Sequence, residues 1–147
     1  MALGAGNSKM IVGYDLGKKN AQISYCSAQS KGVETAPSVA GTQVYNIPVA
    51  LCKKYQVNQW LYGKEALRAA QADEGILVED LVQLALDGEP VRIDGESYYP
   101  EALLTLFLKK SLSLLAPIGP VERIGAFLLT CEELDGDMVN MLQNVLN

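Results

Sequence analysis

Met10-Ile11-Val12-Gly13-Tyr14-Asp15-Leu16-Gly17-Lys18-Lys19-Asn20-Ala21-Gln22-Ile23-Ser24-Tyr25 is the stretch on which the fold reading turns. Met10–Tyr14 is a short apolar run suited to a strand. Gly17 to Asn20 supply a turn. Ala21, Ile23 and Tyr25 then alternate with Gln22 and Ser24, which is strand periodicity, so the two segments predict a hairpin. Asp15 ends the first strand, where an aspartate can hold a hydrated Mg²⁺ that bridges nucleotide phosphates. A glycine at position 17 can let consecutive backbone N–H groups face an anion. Lys18 and Lys19 add positive charge at the tip. From the hairpin alone two readings stand: a phosphate-binding turn, and an ordinary surface turn with two solvated lysines.

Working outward, Thr42–Leu51 reads as a third strand region, in which Pro48 marks an edge or a kink. Gln59–Tyr62 reads as a short strand. Gly63 leads into a helix over Lys64–Ala72, built of strong helix formers. Val78–Leu86 fits helix better than strand, with apolar residues at 78, 81, 82, 85 and 86. Asp94-Gly95 inside Val91–Tyr99 signals a second hairpin. Pro100 and Glu101 open a helix that runs to about Leu115. Its apolar face is Leu103, Leu104, Phe107, Leu108, Ser111, Leu112 and Leu115. Pro117, Gly119 and Pro120 end it. Val121–Thr130 reads as a buried strand, and Glu132–Asn147 as a final helix with Met138, Val139, Leu142, Val145 and Leu146 on its apolar face. Gln29–Gly41 is loop-like. The order of elements predicts an α/β or α+β layered domain. A sheet ending on such a helix reads as a piece of a longer protein.

Of 147 residues, 49% are apolar and 20% charged, a globular composition. The net charge of −5 argues against nucleic acid or an anionic membrane as partner. The chain has no histidine, which excludes Ser-His-Asp and Cys-His catalysis within it. Cys26, Cys52 and Cys131 are odd in number and too dispersed for a zinc site, so they read as free thiols in a reducing cytoplasm. Met1–Lys9 lacks the pattern of a signal peptide, and no run reaches the ~20 apolar residues of a membrane span. The expected location is cytoplasmic.

In family order, the segments add to the hairpin. Val12 to Ala21 resembles the first phosphate motif of DnaK-type heat-shock chaperones, whose form is Ile-Gly-Ile-Asp-Leu-Gly-Thr-Thr-Asn-Ser. Ile47-Pro48-Val49-Ala50 resembles their Thr-Pro-Ser-hydrophobic-Val-Ala segment. Leu61-Tyr62-Gly63-Lys64-Glu65-Ala66 resembles the strand and glycine before the next helix. Asp94-Gly95-Glu96, Tyr99-Pro100-Glu101-Ala102 and the Leu103–Leu115 helix resemble the Gly-Glu…Pro-Glu-Glu helix region. Val121–Thr130 and the helix after Glu132 match the strand and helix beyond. The resemblance implies a ribonuclease H-like mixed sheet with flanking helices, spanning 1–147 as the incomplete N-terminal lobe of an actin-like ATPase fold, its second lobe lying outside the chain. It further implies ATP and Mg²⁺ as cofactors of the full-length protein. Asp15 would face the Mg²⁺ and position its water. Gly13, Asp15, Gly17, Lys18 and Lys19 would line the phosphates.

Three departures accompany the resemblance. Lys18 and Lys19 stand where the family has threonines, which keeps backbone contacts but loses hydroxyls. Leu67 stands at the family's catalytic lysine, with Arg68 beside it as either a substitute or a solvated helix residue. The second phosphate loop and the adenosine segment are not in the chain. Two functions follow as expectations: a switch in which Mg-ATP binding between two lobes changes partner binding or assembly, and a non-catalytic interaction module that kept the fold. The 147-residue chain alone is expected not to hydrolyse ATP. Exposed apolar surface is expected to permit a homodimer or to take an unidentified protein partner. Among weaker candidates, Glu132, Glu133, Asp135 and Asp137 read as a helix-start acidic cluster rather than a cation site. Tyr98 and Tyr99 read as hairpin packing rather than ligand stacking, and Trp60 as an interior or interface anchor.

Overall fold

The computed structural model describes residues 9–27, 32–38, 43–119, 123–131 and 135–146. Over these residues it is a mixed α/β structure with three sheets and four α-helices.

The hairpin forms as its alternation dictates. β1 (Met10–Leu16) and β2 (Asn20–Cys26) are antiparallel, with Tyr14 opposite Ile23 and Asp15 opposite Gln22. β10 (Ile124–Cys131) lies parallel to β1 on its other side. Two short pieces, β3 (Glu34–Thr35) and β4 (Ile47–Pro48), pair with β2. The strand order is therefore β10-β1-β2-β3, with β4 also on β2. Strand periodicity sends Met10, Val12, Tyr14 and Leu16 into the core and leaves Ile11 and Asp15 exposed on the opposite face.

The core face is covered by helices. α3 (Pro100–Leu112), with proline in its first turn, buries Leu103, Leu104, Phe107, Leu108 and Ser111. A single 3₁₀ turn, Ser113–Leu115, extends it and buries Leu115. Complete burial of side chains such as Phe107 and Leu104 stabilises by about 1.5–3 kcal/mol each. α4 (Gly136–Leu146) packs against α3 and buries Met138, Met141, Leu142 and Val145. Val139 and Leu146, expected on its apolar face, are instead exposed, and Met141 takes their place. One polar bridge crosses this core: Tyr14 Oη lies 2.6 Å from Ser111 Oγ. The serine gives its single proton to Leu108 O, so the tyrosine is the donor.

A second layer comes from the middle of the chain. β5 (Leu51–Lys54) pairs with β6 (Trp60–Tyr62) and β7 (Gly75–Val78), both antiparallel. Leu51 belongs to the main core. Cys52 instead joins a small separate cluster with Ala50, Ala66 and Ala69 under α1 (Gly63–Gln71). Gly63 opens α1 with φ of +63°, a conformation that favours glycine. The Thr42–Leu51 expectation of one strand is corrected to two short strands. Pro48 lacks an N–H and ends the pairing with β2 at that point.

Val78–Leu86 likewise divides. Val78 closes β7, and α2 (Leu81–Asp87) begins after Asp80, whose φ is +55°. β8 (Val91–Ile93) and β9 (Glu96–Tyr98) form the second hairpin around Asp94-Gly95. Two contacts fasten this hairpin to the second sheet. Trp60 and Tyr98 meet edge-to-face at 5.4 Å. Lys53, 7% exposed, places its ammonium 3.2 Å from Asp94 Oδ2 and 3.1 Å from Val57 O, with Lys54 O at 3.4 Å. Asp94 Oδ2 also accepts from Gln56 N. All three ammonium protons thus find acceptors, as burial of a charge requires.

Candidate functional site

The β1–β2 turn projects from the sheet at the C-terminal end of β1. Gly17 N donates to Asn20 O at 2.9 Å, closing the turn. Its N–H is thereby committed inside the hairpin. Gly17 is not among the left-handed glycines of the described residues, which are Gly32, Gly63, Gly88 and Gly95. The tight turn thus rests on hydrogen bonding rather than on glycine's access to positive φ. Lys19 O accepts from Val49 N at 2.8 Å, which moors the tip to the segment after β4.

Two depressions flank the tip. One, of about 360 Å³, is lined by Lys18, Lys19, Asn20, Pro48, Val49, Ala50, Leu67, Glu79 and Asp80. The other, of about 210 Å³, lies between Leu16, Gly17 and Lys18 on one side and Val82, Gln83, Leu86, Cys131, Asp135 and Met138 on the other. The fold therefore brings the hairpin lysines to the start of α2, to α1 and to the β10–α4 junction. Both lysines are exposed, and neither enters a salt bridge among the described residues. Two carboxylates, Glu79 and Asp80, share the first depression with them. The rim of this depression therefore carries two cations and two anions, all exposed.

The other expected residues separate. Asp15 and Gly13 lie two residues apart on the open face of the sheet, and neither lines the two depressions. The Thr130 hydroxyl donates to Asp15 Oδ1 at 3.0 Å, across the parallel β1–β10 pair where the two residues stand in register. Leu67 lines the depression beside Lys18 and Lys19. Arg68 does not: it is exposed and paired with Glu65 at 2.5 Å, one turn earlier on α1. A helix places i and i+3 side by side but turns i+1 by ~100°, so a leucine facing the hairpin carries its neighbour off that face. Burial, followed by the charges of Asp15 and Asp135, pushes the Cys131 thiol up from its ordinary value.

The acidic cluster resolves into a cap. Asp135 Oδ1 accepts from Met138 N at 2.9 Å at the start of α4. Asp137 sits in the first helical turn, and Glu132 and Glu133 lie outside the described residues. No group of three or more His, Cys, Asp or Glu among the described residues is arranged to hold a metal. Tyr98 packs on Trp60, whereas Tyr99 is exposed at the entrance to α3. No helix of the described residues is long and apolar enough to cross a membrane.

Comparison with protein families gives a match over residues 32–147 to the group described as "Family of unknown function (DUF5716) C-terminal". The chain belongs to this family. Within this DUF5716 C-terminal chain the match takes in Leu67, Arg68, Glu79 and Asp80 but begins after the β1–β2 hairpin. No curated protein matches the sequence.

What the sequence did not reveal at this site is the contribution of Glu79 and Asp80. They sit between two apolar runs and look like an ordinary polar break. The left-handed turn at Asp80 brings them opposite the lysines.

Proposed function

We propose that this chain forms one wall of a nucleotide-binding cleft of the actin-like type, in which Mg-ATP held between two lobes switches the binding of a partner. The observation that carries the reading is the meeting of Lys18, Lys19 and Leu67 at one depression. These are the phosphate-turn positions and the position of the chaperones' lysine, brought together from distant parts of the chain. The strand order β10-β1-β2-β3, with only β10 parallel to β1, supports a ribonuclease H-like lobe. Phosphate oxygens would lie against the Lys18 and Lys19 ammonium groups, which act as point charges rather than bidentate clamps. Mg²⁺ would supply charge neutralisation between the phosphates and the nearby carboxylates.

A second reading, an interaction module without hydrolysis, is favoured by Leu67. An apolar side chain there can neither neutralise developing charge nor move a proton. The pairing of Arg68 with Glu65 removes the nearest substitute. Nucleotide would then be bound and kept.

Isothermal titration of the full-length protein with Mg-ATP tests the first reading. We expect saturable binding that Lys18→Glu with Lys19→Glu abolishes while circular dichroism stays unchanged. Absence of heat at millimolar nucleotide, with a folded sample, refutes it. Phosphate release measured on the full-length protein, which carries both walls of the cleft, separates the two readings: steady turnover supports the ATPase, and binding without turnover supports the module.

A further inference from the structure

β10 is a strand without a finished environment. Ile124, Phe127, Leu129 and Cys131 face the helices but are only half-buried, whereas Val12, Tyr14 and Leu16 beside them on β1 are at most 1% exposed. On the opposite face Leu128 is 64% exposed. No residue of the strand is fully buried, and among the described residues β1 is the one strand that pairs with it. Native proteins blunt such edges with lysine, proline or a bulge. The eight residues Ile124-Gly-Ala-Phe-Leu-Leu-Thr-Cys131 contain no charge and no proline.

We propose that this edge pairs with the same strand of a second copy, antiparallel about a two-fold axis, so that one sheet runs through a dimer. The ends of the strand decide the occupant and its direction. Lys9, whose side chain lies over Gly125, and Arg123 make the N-terminal end basic. Asp15, bonded to Thr130, and Asp135 make the C-terminal end acidic. Antiparallel pairing sets the basic end of each copy against the acidic end of the other. Parallel pairing sets like against like, which is unfavourable. A two-fold arrangement also places Phe127 and Leu129 near their own symmetry mates, extending the apolar face on both sides.

The seam is ~26 Å long for eight residues at 3.3 Å each, shorter than an ~800 Å² standard patch needs. The dimer is therefore weak and reversible.

Sedimentation equilibrium of the protein, from low micromolar to about 500 μM, reads the assembly. The mass is expected to rise from 15.9 kDa toward twice that value and stop. Ala126→Lys with Leu128→Lys, both at exposed positions, should hold the chain monomeric with an unchanged far-ultraviolet spectrum. Hydrogen exchange on the unaltered chain gives a reading independent of any variant: β10 amides should gain protection with concentration, and β2 amides should not. A monomer at the highest concentration, growth past the dimer, or concentration-independent β10 exchange overturns the proposal.

Discussion

Tyr14 shows how one polar atom is accommodated in an apolar core. Its ring fills space between β1 and α3, and its hydroxyl proton goes to Ser111, which passes its own to Leu108 O. Burial raises the phenol well above the ordinary tyrosine value. The sign follows from proton binding. Above about pH 10 the unfolded chain loses this proton while the folded chain keeps it, so stability falls as pH rises through that range and is intact below it. Tyr14→Phe should cost about 1 kcal/mol at neutral pH and should flatten the alkaline loss. Urea titrations between neutrality and alkaline pH check this. An equal alkaline slope in both proteins would show that other groups govern it.

At the scale of elements, close approach in the second sheet decides more than propensity does. A Cβ on Gly75 would lie 2.4 Å from Lys53 O and 2.8 Å from Cys52 Sγ. Gly75→Ala must therefore push β7 away from β5. It should cost about 1–3 kcal/mol, seen as a melting point lower by roughly 2–4 °C per kcal/mol lost. A melting point within one degree of the parent would show that the strands separate without penalty. The same strand shows where sequence reading stops. The alternation in β2, the Asp94-Gly95 turn and the apolar face of α3 were legible because each is a local pattern. β7 was not: Ile76, Leu77 and Val78 run directly into the helical spacing of Leu81, Val82 and Ala85. Only the left-handed turn at Asp80 separates them, in a residue type that does not announce it. At the candidate site Lys18 and Lys19 were legible as a charged tip. The placing of Leu67 beside them and of Arg68 off that face depends on helix phase, and the position of Asp15 on the open face depends on strand register.

For the molecule as a whole, the two cores are unequal. The main cluster gathers large side chains from β1, β2, α2, α3 and α4, while the cluster under α1 is Ala50, Cys52, Ala66 and Ala69 with partly buried neighbours. Small side chains bury little apolar area, so α1 with β6 and β7 should open at lower free energy than β1, β2 and α3. Native-state hydrogen exchange should show that order, and uniform protection across both layers would contradict it. Lys53 gives this layering a chemical signature. Lys9, Lys18, Lys19, Lys64 and Lys109 offer their amines to solvent, while that of Lys53 is enclosed by Asp94 and two carbonyls. An acylating reagent added to the native protein therefore marks the exposed amines at once and reaches Lys53 only when the β8–β9 hairpin lifts. Mass spectrometry of that one amine becomes a clock for the lifting of this hairpin from the second layer.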